Sequence, residues 1–276
     1  MSSNQNNTSG PIQSDILLEE LTENGIMRLT LNDTKRRNAL SEEMMDKLTK
    51  SLGRASKNDA VRVIIIAGIG PAFCAGHDLK QMSAGRNNDD KGLEYFKEVF
   101  SACSELMMSI TNNPKPVIAE VAGVAAAAGC QLVACCDLAI AGESARFLTP
   151  GVNIGLFCST PMVALSRNVS NKAAMEMLLT GEMVDSKKAE HIGLVNRVVD
   201  DKNLTESTMD MAMVIASKSR MTVKTGKQAF YRQKEMSLAD AYDYASSVMV
   251  ENMLKIDAEE GIDAFIEKRQ PKWQDE

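Results

Sequence analysis

The stretch VAGVAAAAGCQLVACCD, residues Val121 to Asp137, decides how this chain folds around its candidate site. Four consecutive alanines, Ala125 to Ala128, and Gly129 carry no nucleophile, acid or base, so any chemistry here comes from the backbone or from neighbouring segments. The apolar run before Val124 predicts a strand, and the Ala-rich run after Gly123 predicts the first turn of a helix. A helix N-terminus presents unpaired N–H groups, and small side chains let a ligand approach them closely.

A second turn of this kind lies in GPAFCAGHDLKQM, which follows a predicted strand ending at Gly68. This segment passes through Gly70, Pro71 and Gly76 before it reaches His77. Two such turns on neighbouring strands would aim two N–H groups at one oxygen, the arrangement called an oxyanion hole. The residues alone leave open the alternative that Gly and Ala at these joins only allow tight packing.

Composition narrows the classes of function. The chain has 276 residues, is 44% hydrophobic and carries a net charge of -6, which predicts an ordinary globular protein and gives no electrostatic support for nucleic-acid binding. An anionic ligand would need a local basic site. The six cysteines form no C-x-x-C pair and only two histidines are present, so neither a zinc cluster nor a disulfide framework is indicated.

The N-terminal segment predicts where the protein resides. Residues 1–15, MSSNQNNTSGPIQSD, are polar and lack both an apolar signal core and an Arg-rich transit pattern, so we interpret them as a disordered tail. No apolar run approaches the roughly 20 residues needed to cross a bilayer, which predicts no membrane association. We therefore expect a cytoplasmic protein rather than one of the mitochondrial matrix.

Short apolar, β-branched runs alternate with helical segments, which predicts an α/β domain over residues 16–201. From residue 202 to 276 strand signals vanish and the pattern becomes helical, with Met and Tyr that would bury more surface against partner subunits. Ser41 is the predicted N-cap of one helix, and a second helix is predicted over Leu93 to Ile110. The polar segment SAGRNNDDKG before this second helix predicts a loop that could act as a lid.

Four blocks in order, FCAGHDLKQM, VAGVAAAAGCQLVACCDLAIAGESARF, GLVNRVV and AFIEKR, resemble the crotonase superfamily, the enoyl-CoA hydratase/isomerase family, from about Ile16 to the C-terminus. The resemblance implies an α/β crotonase-type fold with a ββα spiral core and a C-terminal helical region that makes trimers, paired into hexamers. It implies an acyl-CoA thioester as the partner molecule, with coenzyme A present only as part of the substrate and no separate cofactor or metal.

The resemblance also assigns candidate catalytic positions. The backbone N–H groups of His77 and Ala128 would bind the thioester oxygen and stabilise a developing enolate. The two glutamates with which hydratases of the family position and activate water correspond here to Gln131 and Gly151. Neither residue takes up a proton at neutral pH, so ordinary hydration is expected to be slow or absent.

Two further side chains have alternative interpretations. Ser159 would orient a water or substrate, or would only cap the helix that follows it. The His77 side chain would donate a proton, or would point away and leave only its backbone in use.

Binding of the CoA part would need local positive charge and an adenine contact. The resemblance implies six positions for this role: Lys35, Arg36, Ala75, Asp78, Phe265 and Lys268. For the basic residues, a solvated surface charge is the alternative.

Several functions remain open on the sequence. The leading hypothesis is an acyl-CoA-binding member of the family that stabilises a thioester enolate, nominally an enoyl-CoA hydratase and thus a lyase. The alternatives are a decarboxylase of malonyl- or methylmalonyl-type CoA esters, a non-catalytic acyl-CoA-binding protein and an acyl-CoA thioester hydrolase.

Overall fold

The computed structural model describes residues 15–276, so the predicted N-terminal tail lies almost entirely outside the described residues. Within the described residues, ten strands form two sheets. Six of them build a large sheet in the order β1-β2-β3-β5-β7-β10, and four build a small sheet in the order β4-β6-β8-β9. The strands are β1 (Leu17–Leu21), β2 (Ile26–Leu31), β3 (Val63–Gly68), β4 (Ala72–Cys74), β5 (Val117–Val121), β6 (Val124–Ala126), β7 (Leu138–Gly142), β8 (Arg146–Leu148), β9 (Val184–Asp185) and β10 (Arg197–Val199).

The central strands β3, β5 and β7 of the large sheet are almost entirely buried, which explains their continuous apolar runs, whereas β1 at the edge exposes four of its five residues. Apart from the antiparallel β1 and β2 pair, neighbouring strands of the large sheet are parallel. Successive residues of β3 point to opposite faces: Ile64 and Ile66 join the main core, whereas Val63 and Ile65 pack against a second cluster that includes Ala212. The predicted α/β class is confirmed, and the large sheet contributes to both core clusters.

The small sheet places the candidate site. Each of its first three strands directly follows a strand of the large sheet along the chain: β4 follows β3, β6 follows β5 and β8 follows β7. These three short strands are parallel to one another, so their C-terminal ends lie at one edge. The repeated unit is therefore two strands followed by helical structure, as a ββα spiral requires.

Eleven helices are described in residues 15–276. They are α1 (Glu42–Lys57), α2 (Leu79–Gly85), α3 (Leu93–Thr111), α4 (Ala128–Cys135), α5 (Ser159–Leu165), α6 (Asn171–Thr180), α7 (Ser186–His191), α8 (Leu204–Ala216), α9 (Arg220–Gln233), α10 (Leu238–Met253) and α11 (Ile256–Glu267). The predicted N-cap is confirmed, because the Ser41 hydroxyl accepts the Met44 N–H at 3.2 Å. None of the described helices combines the length and apolarity that a membrane span needs.

Two local expectations differ from the structure. Ala125 and Ala126 belong to strand β6, and α4 begins only at Ala128, because the small sheet extends through the alanine run. The segment SAGRNNDDKG is partly helical, since α2 continues to Gly85.

The C-terminal helices attach to the core through buried polar groups. Lys227 on α9 donates to the Asp137 carboxylate at 2.6 Å, and the Tyr231 hydroxyl donates to the same carboxylate at 2.9 Å. Glu120 on β5 similarly joins Arg28 on β2 and Thr205 on α8. In contrast, α9 and α10 contain no buried residue, so much of their apolar surface faces solvent in the single chain.

Candidate active site

The candidate site lies at the edge where β4, β6 and β8 end. His77 follows β4 after a short turn, Ala127 and Ala128 follow β6, and Thr149 follows β8. Because the three strands are parallel neighbours, these residues meet at one edge although the chain separates them by up to 72 positions. The two turns that the sequence singled out are thus brought together.

The first turn uses a glycine to approach the second one. Gly76 has φ +90, and an ideal Cβ at this position would lie 2.9 Å from Ala126 O and 3.4 Å from Ala128 N. The Leu40 N–H donates to Gly76 C=O at 2.8 Å in a parallel bridge, so the N–H of the next residue, His77, is directed away from Leu40. A side chain at Gly76 would occupy the space between the two turns.

The second turn is locally strained. Ala127 has φ 50 and ψ -115, a backbone conformation that a non-glycine residue rarely adopts and that costs about 1–3 kcal/mol. Its N–H donates to Leu148 C=O at 2.9 Å, which fixes the turn to β8. At Gly129 an ideal Cβ would lie 2.1 Å from Cys74 O, so α4 packs directly on the backbone of β4. The hydrogen bond to β8 and the close packing on β4 maintain this strained turn and so hold Ala128 in place.

These turns expose two free donors. Within residues 15–276, neither the His77 N–H nor the Ala128 N–H has a hydrogen-bond acceptor. Ala128 is the first residue of α4, where N–H groups are unpaired and the helix dipole adds partial positive charge. Two N–H groups aimed at one oxygen are the geometry that stabilises a developing oxyanion, and these two are available for that role.

Polar side chains at this edge are buried without partners. Gln131, one turn into α4, is 4% exposed, and its Oε1 accepts no hydrogen bond from the described residues. Thr149 is 0% exposed, and its hydroxyl also lacks a partner there. Buried polar atoms in folded proteins are nearly all hydrogen-bonded, so both atoms are available to a water or to a ligand. Sequence reasoning identified Gln131 but missed Thr149.

The His77 ring packs away from solvent. It meets the Phe100 ring edge-on with centroids 5.5 Å apart, and both of its nitrogens are buried with no partner among the described residues. Burial lowers the pKa of the imidazole below its usual value, because the charged form loses its hydration. His77 therefore contributes a neutral ring at neutral pH.

This burial predicts an acid-sensitive stability. A folded-state pKa below the unfolded one means that the unfolded chain binds more protons in the window between the two values, so stability falls as pH drops through it. We expect Tm to decline on acidification below about pH 6.5, and to decline less in His77→Gln. The other histidine, His191, is exposed on α7, and His191→Gln should keep the wild-type profile. Identical profiles for wild type and His77→Gln would contradict this assignment.

Gly151, which the resemblance predicts to stand in place of the second glutamate, is closed in by its surroundings. Gly151 is buried in a 3₁₀ turn, Pro150–Ile154, and an ideal Cβ there would lie 2.8 Å from Leu156 O and 2.9 Å from Cys158 Sγ. Burial raises the pKa of the Cys158 thiol, so this sulfur is a poor nucleophile. Ser159 is exposed as the first residue of α5, and its hydroxyl donates to Phe157 C=O at 3.3 Å.

The predicted CoA-binding residues near the first turn form one group. Arg36 lies in a 3₁₀ turn with Lys35, pairs with the Asp33 carboxylate and lies 3.8 Å from the Asp78 carboxylate. The Asp78 carboxylate also accepts the Lys80 N–H and so caps α2. The half-buried Ala75 donates its N–H to Arg37 C=O at 3.1 Å. Arg36 is thus held beside the first turn, while Lys35 stays exposed.

The other two predicted residues lie on the last helix. Phe265 is 85% exposed on α11, and Lys268 ends this helix in a left-handed conformation with φ 56. An aromatic ring with so much exposed surface is unusual unless something else covers it.

Comparison with known proteins identifies the family. The sequence profile described as Enoyl-CoA hydratase/isomerase matches residues 21–276. The chain belongs to the enoyl-CoA hydratase/isomerase family. It is 45% identical to rat enoyl-CoA hydratase domain-containing protein 3, mitochondrial, over 96% of this chain and 87% of the rat protein.

Solved structures agree with this assignment. The crystal structure of human enoyl-CoA hydratase domain-containing protein 3 covers 94% of this chain and 100% of its own, with 45% identity and a TM-score of 0.89. An enoyl-CoA hydratase from Mycobacterium smegmatis covers 94% of this chain and 99% of its own, with 48% identity and a TM-score of 0.90. The predicted crotonase-type α/β fold is confirmed. Members of this family bind acyl-CoA, and its enoyl-CoA hydratases are lyases.

The same relatives correct the expected location. The rat, mouse, frog, human and zebrafish forms of enoyl-CoA hydratase domain-containing protein 3 are all named as mitochondrial, so the expectation of a cytoplasmic protein is wrong. That expectation was based only on the composition of residues 1–15.

Proposed function

We propose that this protein binds acyl-CoA thioesters and stabilises a thioester enolate between the backbone N–H groups of His77 and Ala128. The observation that carries the proposal is that these two N–H groups, at adjoining strand ends, have no acceptor among the described residues. Two close approaches fix their positions: Gly76 lies against Ala128 N, and Gly129 lies against Cys74 O. A backbone N–H that is already fixed in position does not have to reorient as negative charge develops on the thioester oxygen. Removing one such donor raises the activation free energy by about 3–4 kcal/mol.

The proposed oxyanion hole of His77 and Ala128 has no acid–base side chains of the kind that a hydratase uses beside it. Gln131 holds a water by hydrogen bonds but cannot deprotonate it, and Gly151 offers no side chain. General acid–base catalysis is worth about 100- to 10,000-fold per group, so we propose that the chain hydrates crotonyl-CoA slowly or not at all. Ser159 is a weaker candidate for holding water, because its hydroxyl is exposed and directed to a neighbouring carbonyl.

We further propose that Lys35 and Arg36 contact the nucleotide end of CoA, with Ala75 and Asp78 lining the same approach. Phe265 and Lys268 would complete this site from a neighbouring subunit, which accounts for the exposure of Phe265.

We also propose that the protein forms homotrimers, paired into hexamers, because such an assembly would bury the apolar surface of the C-terminal helices. Large apolar side chains are exposed on the last two helices: Leu238, Tyr242, Met249, Val250, Met253, Ile262, Phe265 and Ile266. A solution mass of a single 30.1 kDa chain would contradict this assembly.

The experiment that tests the function is incubation with crotonyl-, hexenoyl-, malonyl- and methylmalonyl-CoA, followed by mass spectrometry and titration of released CoA thiol. Binding without conversion would favour a non-catalytic acyl-CoA-binding protein. Loss of carbon dioxide from malonyl- or methylmalonyl-CoA would favour a decarboxylase, and release of free CoA thiol would favour a hydrolase. Hydration of crotonyl-CoA at ordinary hydratase rates would refute the argument from Gln131 and Gly151.

Restoring one carboxylate is the sharper test. Gln131→Glu places a carboxyl one turn after the Ala128 donor without changing side-chain size, and we expect crotonyl-CoA hydration to rise by about 100-fold. Gln131→Met, which fills the same space without a polar group, should show no gain. Gly151→Glu is a poor companion, because its Cβ would collide with Leu156 O. An unchanged rate in Gln131→Glu would mean that this position does not face the reacting carbons.

A further inference from the structure

A small cavity lies at the end of the large sheet opposite the candidate active site. Its lining includes Arg62 and Pro116, which directly precede β3 and β5, whereas the candidate site follows the other ends of these two parallel strands. The end of α8 and the start of α9 form its other side. Four basic residues and no acidic residue of the described chain line this basic cavity: Arg62, Lys115, Lys218 and Arg220. Such a concentration of positive charge is notable in a chain with a net charge of -6.

Lys115 is the buried cation of the basic cavity. The residue is only 5% exposed, and its ammonium makes no hydrogen bond or ion pair with any described residue. The other buried lysine, Lys227, provides the contrast. Its side chain is 7% exposed, and its ammonium donates to Ile110 C=O, Lys115 C=O and the Asp137 carboxylate. Because a buried charge without a partner is costly, the Lys115 ammonium needs a partner that the chain itself does not supply.

The backbone holds Lys115 at the cavity without help from its ammonium. Pro114 and Pro116 flank it, and their rings restrict the backbone on both sides. The Lys115 N–H donates to Asn113 Oδ1 at 3.1 Å, and its C=O accepts from Lys227 Nζ at 3.0 Å. The side chain is therefore directed into the cavity by local geometry, and its charge is left free for a ligand.

The carboxylates nearest the cavity are already paired with its arginines. Arg62 pairs with Asp275 at 3.2 Å, and Arg220 pairs with Asp59 at 2.8 Å. Burial and the nearby charge of Arg220 lower the pKa of the Lys115 ammonium, and Asp59 opposes this effect only in part. An anion bound in the cavity would favour the charged form of Lys115, because it would supply the missing opposite charge.

The size of the cavity selects the kind of anion. Its volume is about 10 Å³ and it is partly open to solvent, so it has room for a single species about as large as a water molecule. Carboxylate, phosphate and sulfate groups contain several heavy atoms and would need more room. A halide ion carries a full negative charge on one atom.

We propose that the basic cavity binds one halide ion, such as chloride, and that the Lys115 ammonium is its main partner. The bound ion would join the starts of β3 and β5 to the connection between α8 and α9, because residues of both regions line the cavity. It would thus stabilise the attachment of the C-terminal helices to the large sheet.

The test compares melting temperatures in sodium chloride, sodium sulfate and sodium gluconate at equal ionic strength. Wild type, Lys115→Met and Lys50→Met are measured in each salt. We expect chloride, at roughly tenfold above its Kd, to raise the Tm of wild type by about 3 °C relative to gluconate, whose anion is too large for the cavity. Lys115→Met should show no such difference, because methionine fills the space of the lysine stem without a charge. Lys50→Met, on the exposed surface of α1, should respond as wild type does.

Diffraction locates the ion directly and does not depend on the stability of a variant. Crystals of wild type grown in bromide should show an anomalous peak in contact with Lys115 Nζ. Crystals of Lys115→Met should lack this peak.

Four results would overturn the inference. Equal Tm of wild type in chloride and gluconate would mean that Lys115 is uncharged in the folded chain. A chloride effect that survives in Lys115→Met, or bromide found only on the exposed surface, would remove the ion from this cavity. Stabilisation of wild type alone by sulfate more than by chloride would refute the assignment to a halide. These results leave the proposed acyl-CoA site untouched, since that site lies at the other end of the large sheet.

Discussion

Gly129→Ala is expected to destabilise the protein and to abolish acyl-CoA binding together. The added methyl would lie 2.1 Å from Cys74 O and 2.8 Å from Cys74 C, and both are backbone atoms of β4 that cannot rotate away. Either α4 or β4 must move. We expect a loss of about 3 kcal/mol in the free energy of unfolding, the upper end of what overpacking usually costs. The same displacement would separate the Ala128 N–H from the His77 N–H.

The chain offers a matched control for this prediction. Gly53 lies in the interior of α1, and an ideal Cβ there meets no atom within 4 Å. Gly53→Ala should therefore stabilise the protein by about 0.5–1 kcal/mol, since alanine is the better helix former. Urea unfolding measures both variants, and calorimetry with butyryl-CoA measures binding. A Gly129→Ala protein with wild-type stability and affinity would show that α4 does not rest on β4 as described.

Lys227→Met is expected to loosen the C-terminal helices from the core. The Lys227 side chain is 7% exposed and the Asp137 side chain 16%, and their 2.6 Å ion pair joins α9 to the residue that ends the stretch from Val121. Removing the ammonium leaves a largely buried carboxylate with only the Val117 N–H and the Tyr231 hydroxyl as donors. Breaking one side of a buried pair costs about 3–5 kcal/mol.

An exposed lysine provides the control for this second prediction. Lys50 pairs with Asp46 at 2.8 Å on the surface of α1, so Lys50→Met should change the free energy of unfolding by less than about 1 kcal/mol. Urea unfolding followed by far-ultraviolet circular dichroism, together with hydrogen exchange of α9, reports the effect. Equal losses in both variants would mean that Lys227 contributes no more than a surface charge.

Much of the architecture is predictable from local patterns. The continuous apolar run of β3 predicts a strand buried on both faces, and Ser41 predicts the start of α1, because both signals depend on neighbouring residues only. The alanine run misled the prediction at Ala125 and Ala126. Small residues fit a strand or a helix equally well, and pairing with β4 and β8 decides between them.

The candidate site was only partly predictable. His77, Ala128 and Gln131 stand in recognisable blocks, whereas nothing in the sequence near Thr149 indicates that its hydroxyl is buried without a partner. In the sequence, Gly129 is not distinguishable from other small residues of the run, and only the structure shows that it packs against the backbone oxygen of Cys74. Both facts depend on contacts between segments that are distant in the sequence.

The sequence was enough to predict the α/β class and the family, and it shows that Gln131 and Gly151 carry no carboxylate. Three-dimensional contacts were needed to show that the turns at Gly76 and Ala127 touch, that a side chain at Gly151 would collide with Leu156 O, and that Thr149 lies at the same edge. The physical reason is that side-chain chemistry and local periodicity depend on residues close together in the sequence. The parallel pairing of β4, β6 and β8 instead joins segments that are distant in the sequence, so it depends on how the whole core packs.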